Sequence, residues 1–337
     1  MWITAGVSAL VAFGIFAVLS AAGISEGFNI VAAVFVSAIL FVLLSYVLSR
    51  IVEGRRKASD RLATGLVTTA FIVALLPLVS LVSTAFVNGL PRLDATFFSS
   101  SMRNVVGEGG GGLHAIMGTL EITLAATIIS VPIGIMTAIY LVEYGTGRLA
   151  RAITFFVDVM TGIPSIVAGL FAFALFAIVL GPGIRFGIGG AVALSILMIP
   201  VVVRSTEEML KLVPNELREA SYALGVPKWL TIVKIVIPTA IGGIITGVML
   251  SISRIIGETA PLLIIVGMST SMNYNLFSDR MATLPVFVYT QYASQGSDAQ
   301  AYIDRAWTGA LVLIFIVMAL NLIARLVSKL LAPKGLR

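Results

Sequence analysis

Long runs of apolar residues, separated by shorter polar stretches, dominate the pattern of hydrophobic and polar positions along the chain. A helix needs about 20 such residues to cross a bilayer, because each residue adds about 1.5 Å. The runs do not alternate as barrel strands do, and only helices and closed barrels satisfy their backbone in lipid. The pattern therefore predicts an all-α polytopic membrane protein with about eight transmembrane helices. The predicted spans are 2–23, 29–49, 66–88, 115–143, 152–180, 188–206, 239–267 and 307–331.

The composition agrees with a multi-pass membrane protein. Of 337 residues, 58% are hydrophobic and only 11% are charged, whereas a soluble domain carries about 25% charged residues. The chain has no cysteine and one histidine, His114, so we expect no metal site. The first span has no preceding Lys or Arg and is long enough to cross the bilayer. We therefore expect it to be retained as a helix rather than removed as a signal peptide.

Basic residues are distributed unequally between the two sets of loops that the eight spans define. One set holds most of the 22 Lys and Arg residues, including those of the C-terminal tail. The other set holds Arg92, Arg103, Arg185, Arg280 and Arg305. By the positive-inside rule the first set is cytoplasmic, which places both termini in the cytoplasm. The net charge of +6 thus reflects orientation in the membrane and does not indicate nucleic-acid binding.

Three regions follow from this arrangement. Residues 1–50 form two extra N-terminal transmembrane helices, residues 51–61 form a solvated basic cytoplasmic linker, and residues 62–337 form a six-helix core. Two external loops of the core are long, 89–114 and 268–306. The first contains a flexible glycine run, GEGGGG. The second contains LPVFVYTQYA, predicted as a short helix that lies either on the outer membrane surface or against the bundle.

The cytoplasmic loop 207–238 contains the most informative segment, VPNELREASYALGVPKWLTIVKIVIP. Proline and acidic residues are typical of a helix start, and Gly225 is placed to end that helix in a left-handed conformation. The segment therefore predicts a short helix, a turn and a second helix outside the membrane. Apolar residues on the first helix need burial, and they would find it on another protein. These residues are Leu217, Ala220, Tyr222 and Leu224.

The segment resembles the EAA loop of ABC-importer permeases. The family pattern is E-A-A, three residues, G, nine residues, I-x-L-P, and this chain departs from it only at Ser221 and Ile237. The resemblance implies a coupling helix that fits a cleft on a cytoplasmic ATPase dimer; the alternative is a packed loop with no partner. The coupling residues that it implies are Glu219, Ala220, Ser221, Gly225, Leu217, Tyr222 and Leu224.

Two further segments, GIPSIVAGLF at 162–171 and RIIGETAPLL at 254–263, resemble the permeases of the phosphate-specific ABC importer. The second is closer to the A-type (PstA-like) subunit than to the C-type subunit. The resemblance implies a type I ABC-importer permease in a prokaryotic cell membrane, which forms half of a pathway for inorganic phosphate. Its implied partners are a C-type permease in a heterodimer, the ATPase dimer and an extracytoplasmic phosphate-binding protein.

The chain has no GxxxxGK[ST] motif, so ATP and Mg are expected on the partner ATPase, with no cofactor and no catalytic residue on this chain. One alternative is that the chain is the C-type subunit. Another is a permease for a different oxyanion, such as molybdate or sulfate. A channel or an ion-coupled transporter would leave the loop at 213–238 unexplained.

Arg254 and Glu258 lie inside the predicted span 239–267. Arg254 is about 24 Å of helix beyond Pro238, so it must face the bundle interior or a cavity rather than lipid. Glu258 is four residues further on, so it lies on the same face and can pair with Arg254. Either Arg254 lines the pathway while Glu258 tempers its charge, or the two form a structural ion pair. Gly257 would allow close approach, and Gly257 and Pro261 mark a break or kink in the helix.

A second candidate group lies in the predicted span 152–180. Gly162 and Pro164 would unwind the helix and expose backbone groups, placing Asp158 and Ser165 on the pathway. Alternatively, Asp158 pairs with a cytoplasmic arginine such as Arg151.

Overall fold

The computed structural model describes residues 2–21, 30–296 and 298–331, and the regular elements within them are all helices, as predicted. The helices are α1 (Trp2–Ala21), α2 (Ile30–Val52), α3 (Arg55–Gly89), α4 (Ala95–Ser99), α5 (Leu113–Ile139), α6 (Gly147–Thr161), α7 (Ser165–Leu180), α8 (Gly187–Lys211), α9 (Asn215–Ala223), α10 (Lys228–Thr231), α11 (Ile237–Ile255), α12 (Ala260–Ile265), α13 (Leu284–Ala293) and α14 (Ala299–Leu331). Two π-helical turns follow α5 and precede α11, at Tyr140–Tyr144 and Ile232–Val236. The predicted span ends at 22–23 and 29 lie outside the described residues.

The described helices confirm a multi-pass membrane protein. Seven helical stretches are long and apolar enough to cross a membrane, and the number rises to eight if α6 and α7 count as one span. The chain bends by 111° between these two helices, so the predicted span 152–180 is not one straight helix. The stretch from Lys228 to Ile255 is a single span that includes α10, a π-helical turn and α11.

The chain divides into two compact units, Met1–Thr84 and Ala85–Arg337, whereas the sequence predicted boundaries near residues 50 and 61. In the first unit α1 packs on α2, and Gly65 of α3 lies close to Val42 of α2. A Cβ atom at position 65 would stand 3.5 Å from a methyl group of Val42, which is ordinary contact.

The predicted basic linker 51–61 is largely helical. Helix α2 runs to Val52 and α3 begins at Arg55, so only a tight turn remains, in which Gly54 adopts a φ of +87°. Within the turn, the Glu53 carboxylate accepts hydrogen bonds from Ser49 (2.8 Å) and Arg61 (2.6 Å). Most of residues 51–61 are exposed to solvent, and the segment consists of two helix ends joined by this turn.

Helix α8 is the central helix of the second unit and buries side chains along its whole length against α5, α7 and α11. Small residues allow the helices to approach closely. A Cβ atom at Gly134 of α5 would stand 2.6 Å from Val202, and one at Gly190 of α8 would stand 2.3 Å from Val266. Close contacts at small residues thus build the apolar core around α8.

The second external loop contains the predicted short helix. Helix α13 packs on α14 and α5, burying Leu284, Val286 and Phe287, so the alternative in which it lies against the bundle is the one observed. The Leu284 amide also donates to the Thr119 hydroxyl of α5 at 2.7 Å.

The glycine run of the first external loop is held by two arginines and is not the flexible segment that the sequence predicted. Arg305, only 1% exposed, donates to the carbonyls of Gly107 (2.7 Å) and Gly109 (3.0 Å), and Arg92 donates to that of Gly110 (2.8 Å). Arg92 also pairs with Asp94. Burial raises the pKa of Asp94, but hydrogen bonds from the Phe97 amide and from Arg92 outweigh it and hold the pKa below its usual value.

Candidate functional site

The predicted span 239–267 is interrupted where its charged residues lie. Helix α11 ends at Ile255 and α12 begins at Ala260. Pro261 has no N–H to donate to Gly257, and its ring would clash with that carbonyl if the helix continued. The chain therefore starts a new helix with Pro261 in the first turn, where the missing N–H costs nothing. Of the two alternatives predicted at Gly257 and Pro261, a break or a kink, the structure has a break, and Pro261 lies in the first turn of the new helix.

The predicted pair between Arg254 and Glu258 does not form. Arg254 is in the last turn of α11, whereas Glu258 lies in the break, so the one-turn spacing that would bring them together is lost. Over the described residues, neither side chain makes an ion pair or a side-chain hydrogen bond. Arg254 is exposed and Glu258 half-buried on this chain. A Cβ atom at Gly257 would meet nothing within 4 Å, so the surface beside them is open.

The second break separates α6 from α7. Gly162 caps α6, Pro164 precedes α7 with an extended ψ of 138°, and Ser165 is the first residue of α7 and is half-buried. The residue before a proline disfavours helical geometry, which explains why the helix stops here.

Asp158 lies one turn before this break and pairs with Arg204 of α8, not with Arg151. Arg204 also reaches Glu207 (2.9 Å), which accepts from Lys211 (2.6 Å). The four side chains form a row of alternating charge that begins at Asp158 on α6 and continues along α8. In the part of the chain that the structure describes, no contact joins Asp158 to Arg254.

The two helices that follow the two breaks pack directly on each other. A Cβ atom at Gly169 of α7 would stand 2.5 Å from the Cα atom of Pro261 in α12. The absence of a side chain at position 169 is what lets the backbone of α12 lie against α7. The structure thus brings the two predicted broken segments together, although their charged residues remain apart.

The loop between α8 and α10 forms the predicted coupling helix, α9. Gly225 has a φ of +75° at the position after the helix end. The Val226 amide donates to the Ser221 carbonyl (3.2 Å) and the Gly225 amide donates to the Tyr222 carbonyl (2.9 Å). These two bonds are the Schellman pattern, which satisfies the last carbonyls and fixes the direction in which the chain leaves.

The outer surface of this loop is apolar. Leu217 and Tyr222 are each 41% exposed, Leu224 is 84% exposed, and Glu219 and Ala220 are also exposed. Trp229 of α10, 60% exposed, adds to this surface, although it was not among the predicted coupling residues. A large aromatic side chain next to a predicted docking helix was the available signal. We call Leu217, Tyr222, Leu224 and Trp229 the coupling surface.

The inner side of α9 is fixed to the end of α5. Arg218 donates to Glu143 (2.8 Å) and to the carbonyls of Leu210 (3.0 Å) and Val213 (2.6 Å). Lys228 donates to the Glu143 carbonyl and its ammonium lies 4.8 Å from the centre of the Tyr144 ring. Arg218, Lys228 and Glu143, together the coupling clamp, could not be found from sequence because their partners are far apart along the chain.

Ser221, where the ABC-importer pattern has alanine, is buried and serves a local purpose. Its hydroxyl lies 2.8 Å from that of Thr231 in α10, and both groups are shielded from solvent. This bond joins the two helices of the coupling loop across the turn at Gly225.

Comparison with known proteins identifies the family and the fold to which this chain belongs. Residues 130–336 match the family described as the inner membrane component of binding-protein-dependent transport systems, and the chain belongs to that family. A solved chain from a bacterial alginate ABC transporter shares the fold, with a TM-score of 0.55 and 13% sequence identity over 85% of this chain and all of that chain.

Closer relatives define the particular group. The phosphate transport system permease protein PstA 1 of Mycobacterium tuberculosis (strain CDC 1551 / Oshkosh) is 48% identical over 276 residues, which are 81% of this chain and 90% of that protein. PstA of Haemophilus influenzae is 39% identical over 273 residues, 80% of this chain and 94% of that protein. The chain is a member of the PstA family of phosphate transport system permease proteins.

Proposed function

We propose that this chain is the permease subunit of an ATP-driven phosphate importer and forms half of its translocation pathway. The observation that carries the proposal is the state of Arg254. It is an exposed guanidinium in a membrane-spanning segment, with no anionic partner among the described residues. A charge in that position costs at least a few kcal/mol if it faces lipid. A second permease subunit and a water-filled pathway would remove that cost.

Phosphate suits this site chemically. A guanidinium binds an oxyanion through two parallel hydrogen bonds, and the named function of the PstA relatives is phosphate transport. A pathway must also release its substrate. Glu258, half-buried in the break after α11 and not paired with Arg254, weakens the positive field there without neutralising the guanidinium. Gly257 leaves room beside both groups.

The other broken segment contributes the adjacent part of the pathway wall. Ser165 begins α7, and α7 is the helix that packs on α12 through Gly169 and Pro261. We place Ser165 and Asp158 on the pathway side of this pair, with Asp158 held by Arg204. Gly162 and Pro164 form the sharp bend between α6 and α7, where the helix is interrupted beside this part of the wall.

In this proposal, the coupling surface transmits the energy of ATP hydrolysis from the ATPase to the membrane helices. By the positive-inside rule, the excess of basic residues supports a cytoplasmic location for the coupling loop and both termini. Leu217, Tyr222, Leu224 and Trp229 would then enter a cleft on an ATPase dimer. The ATPase would bind ATP and Mg, and this chain would perform no chemistry. A C-type permease completes the membrane heterodimer, and a phosphate-binding protein delivers the substrate from outside.

Uptake of labelled inorganic phosphate tests the proposal. Cells that lack this chain, in a strain with no other high-affinity route, are compared with cells in which it is restored, at micromolar phosphate with excess sulfate or molybdate. We expect uptake to require the chain and to ignore both competitors. Uptake that does not depend on the chain would overturn the phosphate assignment. Inhibition by molybdate or sulfate would instead indicate another oxyanion.

A further inference from the structure

Two arginines from different external loops meet at one glycine. Arg185 lies between α7 and α8, and Arg280 lies before α13. A Cβ atom at Gly267 would stand 3.2 Å from Cδ and 3.4 Å from Nη1 of Arg185, and 3.5 Å from Cδ of Arg280. Both side chains therefore lie beside Gly267, next to each other. Gly267 has a φ of +75° and ends the turn after α12, so the meeting point is where α12 stops.

The backbone on each side of this arginine pair is fixed. Next to Arg185, the Phe186 amide donates to the Ile265 carbonyl at 3.3 Å, and the Phe186 ring packs edge-on against Phe176 with centroids 4.9 Å apart. These contacts hold Arg185 against the end of α12. Its placement does not depend on an ion pair.

Arg280 is positioned by an asparagine. The side-chain amide of Asn273 donates to the carbonyls of Ser278 (2.8 Å) and Arg280 (3.2 Å), while its oxygen accepts from the Asn275 amide (2.8 Å). Between them, Asp279 adopts a left-handed φ of +58°. This compact turn directs the chain at Arg280 toward Gly267.

Arg185 and Arg280 lack partners of the kind that Arg92 and Arg305 have. Arg92 pairs with Asp94, and Arg305 donates to Gln291 and to two glycine carbonyls. Neither Arg185 nor Arg280 makes an ion pair or a side-chain hydrogen bond within the described residues. Two neighbouring cations repel each other, and an anion that accepts hydrogen bonds from both removes that repulsion.

Helix α12 connects this arginine pair to the pathway. Its six residues rise about 9 Å, and at its other end lie Glu258, in the break, and Arg254, in the last turn of α11. We propose that Arg185 and Arg280 form an outer oxyanion site, which takes up inorganic phosphate before it reaches Arg254. This inference rests on the proposed function, because it assumes that phosphate enters along α12.

The test uses the complete transporter with its binding protein, reconstituted in vesicles, and measures phosphate uptake over a range of phosphate and salt concentrations. We expect Arg185→Gln and Arg280→Gln each to lower kcat/KM about 10-fold and to weaken its dependence on ionic strength. Lysine at either position should restore part of the rate, because it keeps the charge but loses the bidentate geometry. Asn273→Ala should lower kcat/KM without changing the charge. Arg103→Gln, which removes an exposed external arginine elsewhere, should leave uptake unchanged.

Two outcomes would overturn the oxyanion site. One is normal kcat/KM in both glutamine variants. The other is loss of the second permease or of the binding protein from the complex, with normal uptake per assembled transporter, which would show that the arginines contact a protein. Failure of the proposed function looks different, because the unmodified transporter would then not carry phosphate at all. If the unmodified transporter carries phosphate and Arg254→Gln stops it while Arg185→Gln does not, only the outer site is wrong.

Discussion

Arg218 of the coupling helix and Glu143 in the π-helical turn after α5 are 75 residues apart in the sequence and form an ion pair of 2.8 Å. Both side chains are almost completely buried. The pair joins the apolar coupling surface to a helix that packs along the centre of the second unit. A displacement of the coupling surface would therefore be transmitted to α5, as well as to α8 and α10, the two helices that α9 connects.

Replacing Glu143 with glutamine tests this link. The change removes the charge opposite Arg218 in a buried site and should lower the free energy of unfolding by about 1 to 3 kcal/mol. Phosphate-dependent ATP hydrolysis by the complex should fall more than ATPase binding, because the coupling surface itself is unchanged. Thermal unfolding in detergent and ATPase assays on the purified complex measure the two effects.

Glu53→Gln is the matched control for Glu143→Gln. The Glu53–Arg61 pair is more exposed and belongs to the first compact unit, so its loss should cost less than about 1 kcal/mol. Equal effects of the two substitutions on coupling would contradict a special role for the clamp.

Leu224→Ser tests the coupling surface. Leu224 is 84% exposed, so the substitution should leave the fold intact. Burial of a leucine side chain contributes about 1.5 to 3 kcal/mol, so affinity for the ATPase should fall by about 10-fold or more. Co-purification of the ATPase with the permease measures this loss. Val52→Ser changes a residue that is 79% exposed outside the coupling loop and should have no effect.

Arg254→Gln tests the pathway. Arg254 has no partner among the described residues, so its removal should change the free energy of unfolding by less than about 0.5 kcal/mol. Phosphate uptake should nevertheless fall at least about 10-fold, and Arg254→Lys should be intermediate because lysine cannot bind bidentately. Labelled phosphate uptake by assembled complexes is the measurement. Normal transport by the glutamine variant would exclude Arg254 from the pathway.

Gly169→Ala tests the contact between α7 and α12. The new methyl group would stand 2.5 Å from the backbone of Pro261, so one helix must move, at a cost of about 1 to 3 kcal/mol. The Tm should fall. Gly257→Ala is the control, because a Cβ atom there meets nothing within 4 Å. A Tm that falls equally in both variants would show that space at Gly169 is not what matters.

Local chemistry explains which features could be predicted from the sequence. Spans follow from runs of apolar residues, and the end of α9 follows from the conformational freedom of Gly225. A break or kink at Gly257 and Pro261 could be predicted because Pro261 lacks an N–H group, but the residue at which α11 ends could not. The predicted pair between Arg254 and Glu258 was wrong because it assumed an unbroken helix between the two residues.

Contacts between distant residues had no signal in the sequence. Asp158 is 46 residues from Arg204, and nothing local distinguishes Arg204 from Arg151 as its partner. The same holds for the coupling clamp and for the arginine pair at Gly267. Such contacts depend on how helices pack, and a single sequence does not state which helices become neighbours.

The two π-helical turns lie on either side of the coupling helix, at Tyr140–Tyr144 and Ile232–Val236. In the second turn the Ile237 amide donates to the Ile232 carbonyl, five residues back. A π turn holds one residue more than an α turn, and one residue corresponds to about 100° of rotation. Conversion of either turn to α geometry would rotate one side of the helix relative to the other while keeping its hydrogen-bond ladder. These turns thus give the two helices beside the coupling clamp a place to change register without unfolding.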